Sequence, residues 1–240
     1  MAKFTPQELS STVWAYATAG VEAPLLFEAI AAEAQKKIST FKSQNLANTA
    51  WAFATAGVEA PALFEAIAAE TPKKIAQFNS QNLANIVWAY STKGIAAPAL
   101  FEAIAAEAPK KMAAFEPQAL ANTAWAFAAA GVEAPLLFEA IAAEAPKKIS
   151  KFNPQNLANT VWAYSTARAA APALFEAVAA EASKKISKFT PQNLANTVWS
   201  YATAGAEAPA LFEAVAAESS KKMAAFTSQN LANTAWAYAT

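Results

Sequence analysis

The sequence predicts an all-α fold: an α-solenoid of six helical-hairpin repeats followed by the first helix of a seventh, spanning residues 1–240 as one array. Three observations predict it. Near-copies of one phrase begin at Phe4, Phe41, Phe78, Phe115, Phe152, Phe189 and Phe226, a period of 37 residues without insertion or deletion. Each copy carries a tryptophan ten residues in, at Trp14, Trp51, Trp88, Trp125, Trp162, Trp199 and Trp236. An unbroken period of about 20–50 residues marks a solenoid, in which each unit buries its apolar face against its neighbours. The composition agrees: 55% of residues are hydrophobic, largely alanine, the strongest helix former and small enough for close helix stacking.

Within a repeat, helix A comes first. Thr5, Asn79, Asn153, Thr190 and Thr227 are good N-cap types, with proline or serine next at the first helical position. Lys42 and Glu116 break the cap preference in the second and fourth repeats. The helix runs to about Ala204 in the sixth repeat, and Gly205 stops it, as Gly20, Gly57, Gly94 and Gly131 do elsewhere. Arg168 replaces that glycine in the fifth repeat. The turn there is expected to be strained or slightly rearranged, at roughly 1 kcal/mol.

Helix B opens at Pro24, Pro61, Pro98, Pro135, Pro172 and Pro209. Phe27, Ile30, Ala31, Ala34 and Ile38 form its apolar stripe in the first repeat, and the recurring phenylalanine (Phe64 and Phe101 next) reads as core. Pro72, Pro109 and Pro146 fall inside this helix, so a bend and a short terminal turn over Lys-Lys-Ile/Met are expected.

Composition excludes several functions. No apolar run approaches the ~18 residues of a membrane span. There is no cysteine, histidine or aspartate, so disulfides, thiolate chemistry, the usual metal clusters and base-assisted nucleophiles have no material. The expectation is a protein that is not an enzyme and needs no cofactor. A formal net charge of zero argues mildly against nonspecific nucleic-acid binding. Met1-Ala2-Lys3 leads straight into the first repeat, which reads as no signal or transit peptide.

At about 100° per residue, Leu194, Val198, Tyr201 and Gly205 share the face of helix A that meets the core. Trp199 lies off that face, placed to pack sideways on the next repeat. The remaining arc carries Asn193, Asn196, Thr197 and Ser200. Asparagine is a mediocre helix former, so its recurrence needs a reason. Asn48, Asn85, Asn122, Asn159, Asn196 and Asn233 could form a structural ladder or meet a partner. The more variable series, Asn45, Asn82, Ala119, Asn156, Asn193 and Asn230 with Glu8 at its head, is expected to contact a partner. Beside them stand Thr49, Ile86, Thr123, Thr160 and Thr197.

Twelve of the eighteen basic residues form a second ladder at Lys36, Lys37, Lys73, Lys74, Lys110, Lys111, Lys147, Lys148, Lys184, Lys185, Lys221 and Lys222. Such pairs suit a helix C-terminus and pair with Glu33 and its equivalents. A regular cation row is also what a phosphate backbone requires.

The phrase carried by Phe152 to Tyr164, Phe-x-Pro-Gln-Asn-Leu-Ala-Asn-Thr-x-Trp-Ala-Tyr, with Pro172 to Ala177, resembles the octotricopeptide repeats and their 37-residue relatives, the heptatricopeptide repeats. The resemblance covers the whole chain. It implies a helical-pair solenoid, expected to coil right-handed, of a chloroplast or mitochondrion. It also implies sequence-selective binding of single-stranded RNA that affects transcript stability, processing or translation, at about one base per repeat. The asparagine and threonine series would then contact bases and the lysines phosphates. The array ends inside its seventh repeat, as an excised or regularised array would, and lacks the nuclease-like domain that often follows such repeats. Its open ends are expected to favour end-to-end self-association. Two other readings stand beside RNA: an armadillo-like scaffold for an extended peptide, and a scaffold without a partner.

Overall fold

The computed structural model describes residues 3–240; the expectation about Met1 and Ala2 as leader positions lies outside them. The described residues hold thirteen α-helices and no strand, as an α-solenoid of repeats requires. The chain forms two compact units, Met1–Ala114 and Phe115–Thr240. The first holds α1 (Pro6–Ala19), α2 (Pro24–Lys37), α3 (Ser43–Thr55), α4 (Pro61–Lys74), α5 (Ser80–Lys93) and α6 (Pro98–Glu107). The second holds α7 (Pro117–Ala129), α8 (Pro135–Lys148), α9 (Pro154–Thr166), α10 (Pro172–Lys185), α11 (Pro191–Ala204), α12 (Pro209–Lys222) and α13 (Ser228–Ala239).

In each unit the odd-numbered helices stack in one layer and the even-numbered helices in another, in chain order. The odd layer packs more closely, because its contacts are made by small residues. Ala47, Ala50, Ala84, Ala121, Ala124, Ala158 and Ala195 are all buried there, and small contact residues shorten the distance between helix axes. Three of the four residues predicted for the core face lie in it, Leu194, Val198 and Tyr201 at most 1% exposed, whereas Gly205, the left-handed cap beyond the helix end, is exposed.

Repeats are joined by an aromatic contact between layers. Phe64 of α4 meets the Tyr90 ring of α5 edge-on with centroids 5.2 Å apart, and Phe138–Tyr164 and Phe175–Tyr201 repeat the arrangement at 5.1 Å. Each buried phenol donates its proton to the carbonyl of that same phenylalanine, at 2.5 Å for Tyr90 and 2.6 Å for Tyr164 and Tyr201. Burial pushes these phenols above the ordinary tyrosine range, so they remain hydrogen-bond donors.

The interior prolines are accommodated near the helix end. Pro72 and Pro146 lie inside α4 and α8, which continue through the lysine pair before a 3-10 turn at Ile75–Gln77 or Ile149–Lys151. The turn thus begins after the lysines, not over them. Only in the third repeat does α6 stop at Glu107, leaving a 3-10 stretch, Ala108–Ala114, that includes Lys110 and Lys111.

Arg168 occupies the left-handed region at φ 53°, the one positive-φ residue other than glycine among the described residues. The turn is strained but not rearranged. Arg168 N–H donates to the Ser165 carbonyl at 3.3 Å and Ala169 N–H to Tyr164 at 2.9 Å, matching Gly205 to Ala202 at 3.2 Å and Ala206 to Tyr201 at 2.9 Å. A β-carbon at Gly205 would meet no atom within 4 Å, so the difference is one of backbone strain. Arg168→Gly is therefore expected to stabilise the protein by about 1 kcal/mol, read as a raised denaturant midpoint with unchanged far-UV circular dichroism; an unchanged or lower midpoint would refute the assignment of strain.

Candidate functional site

The asparagine series at the third helical position forms caps. The Oδ1 of Asn156 accepts the backbone N–H of Asn153 at 3.2 Å, while the Asn153 side chain accepts the N–H of Asn156 at 2.8 Å. The same reciprocal box joins Asn79 to Asn82, Thr190 to Asn193 and Thr227 to Asn230, and Glu8 serves Thr5 in α1. This satisfies two donors that a helix start leaves orphaned. At Lys42, which has no acceptor to offer, half the box survives: its N–H donates to Asn45 Oδ1 at 3.1 Å. Asn82, Asn156 and Asn230 are buried, and so is Ala119. The amide oxygens expected to read a partner are thus engaged within the chain.

The threonine series is also withdrawn from the surface. Thr49, Ile86, Thr123, Thr160 and Thr197 are at most 1% exposed. Thr160 and Thr197 return their hydroxyls to the carbonyls of Asn156 and Asn193, at 2.8 and 2.7 Å; the hydroxyls of Thr49 and Thr123 are buried with no partner. These side chains fill the seam between neighbouring odd helices, so none presents an atom to a ligand.

What remains at the surface is a single stripe. Gln44, Asn48, Trp51 and Thr55 of α3 follow at spacings of four, three and four residues, which align on one helix face. Gln44 and Thr55 are exposed, and Asn48 and Trp51 half-buried. The glutamine recurs as Gln7, Gln81, Gln118, Gln155, Gln192 and Gln229, exposed in every case. Asn85, Asn122, Asn159, Asn196 and Asn233 are half-buried like Asn48, and their carboxamides make no hydrogen bond among the described residues, so no asparagine ladder forms. The glutamine row was missed in the sequence, though its identity in all seven copies, one helical turn before the asparagine, was the available signal.

The tryptophans pack sideways as expected. Trp51 contacts Trp14 and Trp88 with ring centroids 6.5 and 6.4 Å apart, and Trp125 contacts Trp162 at 6.3 Å, all tilted by 33–36°. Trp51, Trp88, Trp125, Trp162 and Trp199 are half-buried.

The lysine pairs divide into two kinds. The second of each pair, Lys37, Lys74, Lys111, Lys148, Lys185 and Lys222, is a clamp. Lys74 Nζ lies 3.0 Å from the buried Glu70 carboxylate and donates to the carbonyls of Phe41 and Ser39, at 2.7 and 2.6 Å. Lys111 does the same with Phe78 and Ala76, Lys185 with Phe152 and Ser150, and Lys222 with Phe189 and Ser187. These four tie the end of helix B to the entry of their own repeat and to the turn before it, and Lys37 and Lys148 donate to the entry carbonyls of Phe4 and Phe115 at 2.8 and 2.7 Å. These six lysines are therefore structural and not free phosphate contacts. The first of each pair, Lys36, Lys73, Lys110, Lys147, Lys184 and Lys221, shares the same carboxylate but keeps 65–72% of its side chain exposed.

One groove gathers several of these groups. In the first unit a polar depression of about 490 Å³ lies between the first turns of α1 and α3, lined by Gln7, Ser10, Ser11, Gln44, Asn45 and Asn48 and by the caps Thr5 and Lys42. Amide donors and acceptors therefore line a groove wide enough for a planar polar group. Compared with known protein families, the chain matches the RNA-editing substrate-binding complex 6 protein over residues 1–137 and again over 69–240. It belongs to that family. The two matches overlap, as a repeat array would produce. No curated protein matches the chain. In this family member the described residues include no helix long and apolar enough to cross a membrane.

The clamps of this RNA-editing substrate-binding complex 6 family member generate two predictions. Lys74→Ala removes an ion pair and two hydrogen bonds to carbonyls, whereas Lys73→Ala removes one exposed pair. The first should lower the melting temperature clearly and the second hardly at all; equal effects would refute the division. The carboxyls of Glu33, Glu70, Glu107, Glu144, Glu181 and Glu218 are held below their ordinary range, chiefly by hydrogen bonds from their lysines and against the desolvation that would raise them. A depressed folded-state value means the unfolded chain binds more protons near pH 4. Stability should thus hold from neutral pH down to about 4.3, the unfolded glutamate value, and fall as pH drops through it toward the lowered folded values. Chemical denaturation across pH 7 to 3 measures this, and Glu70→Gln with Glu181→Gln should flatten the acid slope; an unaltered slope would remove these carboxylates as its source.

Proposed function

We propose that the chain is a non-catalytic, single-stranded RNA-binding repeat protein, contacting about one base per repeat through the odd-helix surface of each unit. The observation that carries this reading is the Asn48 series: half-exposed carboxamides, recurring every 37 residues, with no hydrogen bond inside the chain. A carboxamide offers one donor and one acceptor side by side, the pattern that base edges complement. Gln44 extends the same chemistry by one helical turn, Trp51 offers an indole, and Lys36, Lys73 and their equivalents supply exposed cations at the end of helix B. The family's name, which speaks of an RNA-editing substrate-binding complex, supports RNA as the ligand class and further protein subunits as partners. A chloroplast or mitochondrial location follows from the resemblance to organellar repeat proteins and belongs to this proposal.

An extended peptide is the second reading, favoured by the half-exposed indoles beside the asparagines, which could frame side-chain pockets while the amides hold a main chain.

The test is retention of a random single-stranded RNA pool at two salt concentrations, with sequencing of what is bound. RNA should be retained, more weakly at the higher salt. Asn159→Ala with Asn196→Ala should weaken binding without lowering the melting temperature, since neither amide supports the fold. No retention at low salt would overturn the RNA reading in favour of peptides.

A further inference from the structure

Along the exposed stripe of the odd helices the glutamine and tryptophan recur in every repeat and the asparagine in all but the first, whereas the threonine that ends the stripe gives way to Ala129 in the fourth repeat and the exposed caps differ at Lys42 and Glu116. At the third helical position the departures are Ala119, which is buried, and Glu8, which is exposed but has its carboxylate engaged with Thr5 at 2.7 and 2.8 Å. At the next variable position Ile86 stands fully buried where threonine stands elsewhere. The glutamine, asparagine and tryptophan of the exposed stripe, by contrast, repeat almost without change. In the second unit Gln118, Gln155, Gln192 and Gln229 stand over Asn122, Asn159, Asn196 and Asn233, then Trp125, Trp162, Trp199 and Trp236. In the first unit Gln7, Gln44 and Gln81 stand over Ser11, Asn48 and Asn85, and the single change is Ser11.

Modular readers discriminate between bases by changing the two or three side chains that each repeat presents. Where every repeat presents the same side chains in the same helical register, every repeat prefers the same base. Resting on the RNA reading above, we infer that this array recognises a homopolymeric single-stranded tract, one base type repeated, and not a mixed-sequence motif. The indoles fit this specificity. Their centroids lie 6.3–6.5 Å apart with tilted planes, too close for a base to slide between two of them. Bases would lie across the row, their edges to the amides, each in the same environment as the last.

The decisive measurement is fluorescence anisotropy of the full chain with labelled oligoadenylate, oligouridylate and oligocytidylate of about twelve nucleotides, against an unstructured mixed-sequence oligomer of equal length. One homopolymer should bind about tenfold or more tighter than the mixed sequence, since a modest preference per base accumulates over successive repeats. Asn159→Ala with Asn196→Ala should reduce that ratio. Asn156→Ala, which places at a buried cap the residue that repeat four already has at Ala119, should leave the ratio unchanged. Equal affinity for homopolymers and the mixed oligomer, or a ratio altered by Asn156→Ala, would overturn the inference while leaving RNA binding standing. Absence of binding to every oligomer would overturn both.

Discussion

An odd helix inside a unit, such as α3, is covered on three sides, and most of its sequence answers to that one constraint. In the first unit α3 has α1 on one flank, α5 on the other and the even-helix layer beneath it. Only a strip one residue wide is left to solvent. The flanks must be flat enough for neighbours to approach, which explains the alanines at Ala47 and Ala50 and, in the second unit, Thr160 and Thr197, which fold their hydroxyls back onto their own helix. The first amide groups of a helix have no intrahelical acceptor, so the chain supplies Asn79 with Asn82, or Asn153 with Asn156, to satisfy them.

The even layer packs more loosely and is held by charge. A buried carboxylate such as Glu70 is costly unless paired and hydrogen-bonded. Here it is shared between Lys73 and Lys74, and the second ammonium is fixed further by two carbonyls, one in the turn of the preceding repeat. The arrangement gives each repeat a direction and a register. A carboxylate, a clamp and two carbonyls coincide only when repeats follow at a fixed offset, which accounts physically for the absence of insertions.

How much of this was legible in the sequence depended on how local the cause was. The caps, the glycine stops, the proline entry to helix B, the phenylalanine core and the strain at Arg168 are properties of a turn or of one helix face, and they follow from residue type. The exposed surface does not. On an isolated helical wheel Asn193, Asn196 and Thr197 occupy one polar arc, and nothing on the wheel says that a neighbouring helix covers Thr197 but leaves Asn196 at the surface. The inter-repeat seam makes that distinction, and it is a contact between residues about one repeat apart. Variation misled for a related reason. Ala119 differs from asparagine because a cap tolerates loss of one hydrogen bond, not because that position reads something different. The lysine pairs look alike in sequence, and only the position of the Phe41 and Ser39 carbonyls separates Lys74 from Lys73.

The charge balance then says what kind of recognition such a surface can support. Half of the paired lysines are consumed by the clamps, and each clamp carries a glutamate, so the twelve paired lysines yield far less free positive charge than their number suggests. The chain as a whole is formally neutral. A neutral solenoid exerts little long-range pull on a polyanion, so the counterion-release contribution that dominates nonspecific binding is small here. On the RNA reading proposed above, affinity would come from contacts that exist only in register, one amide and one indole at a time. A single such contact is weak and returns only about 1–3 kcal/mol of discrimination at best. Repetition is what makes it useful: identical weak contacts at identical spacing reinforce one another only on a ligand that repeats with them. The regularity that lets these helices stack without insertions thereby also restricts what the exposed strip can hold.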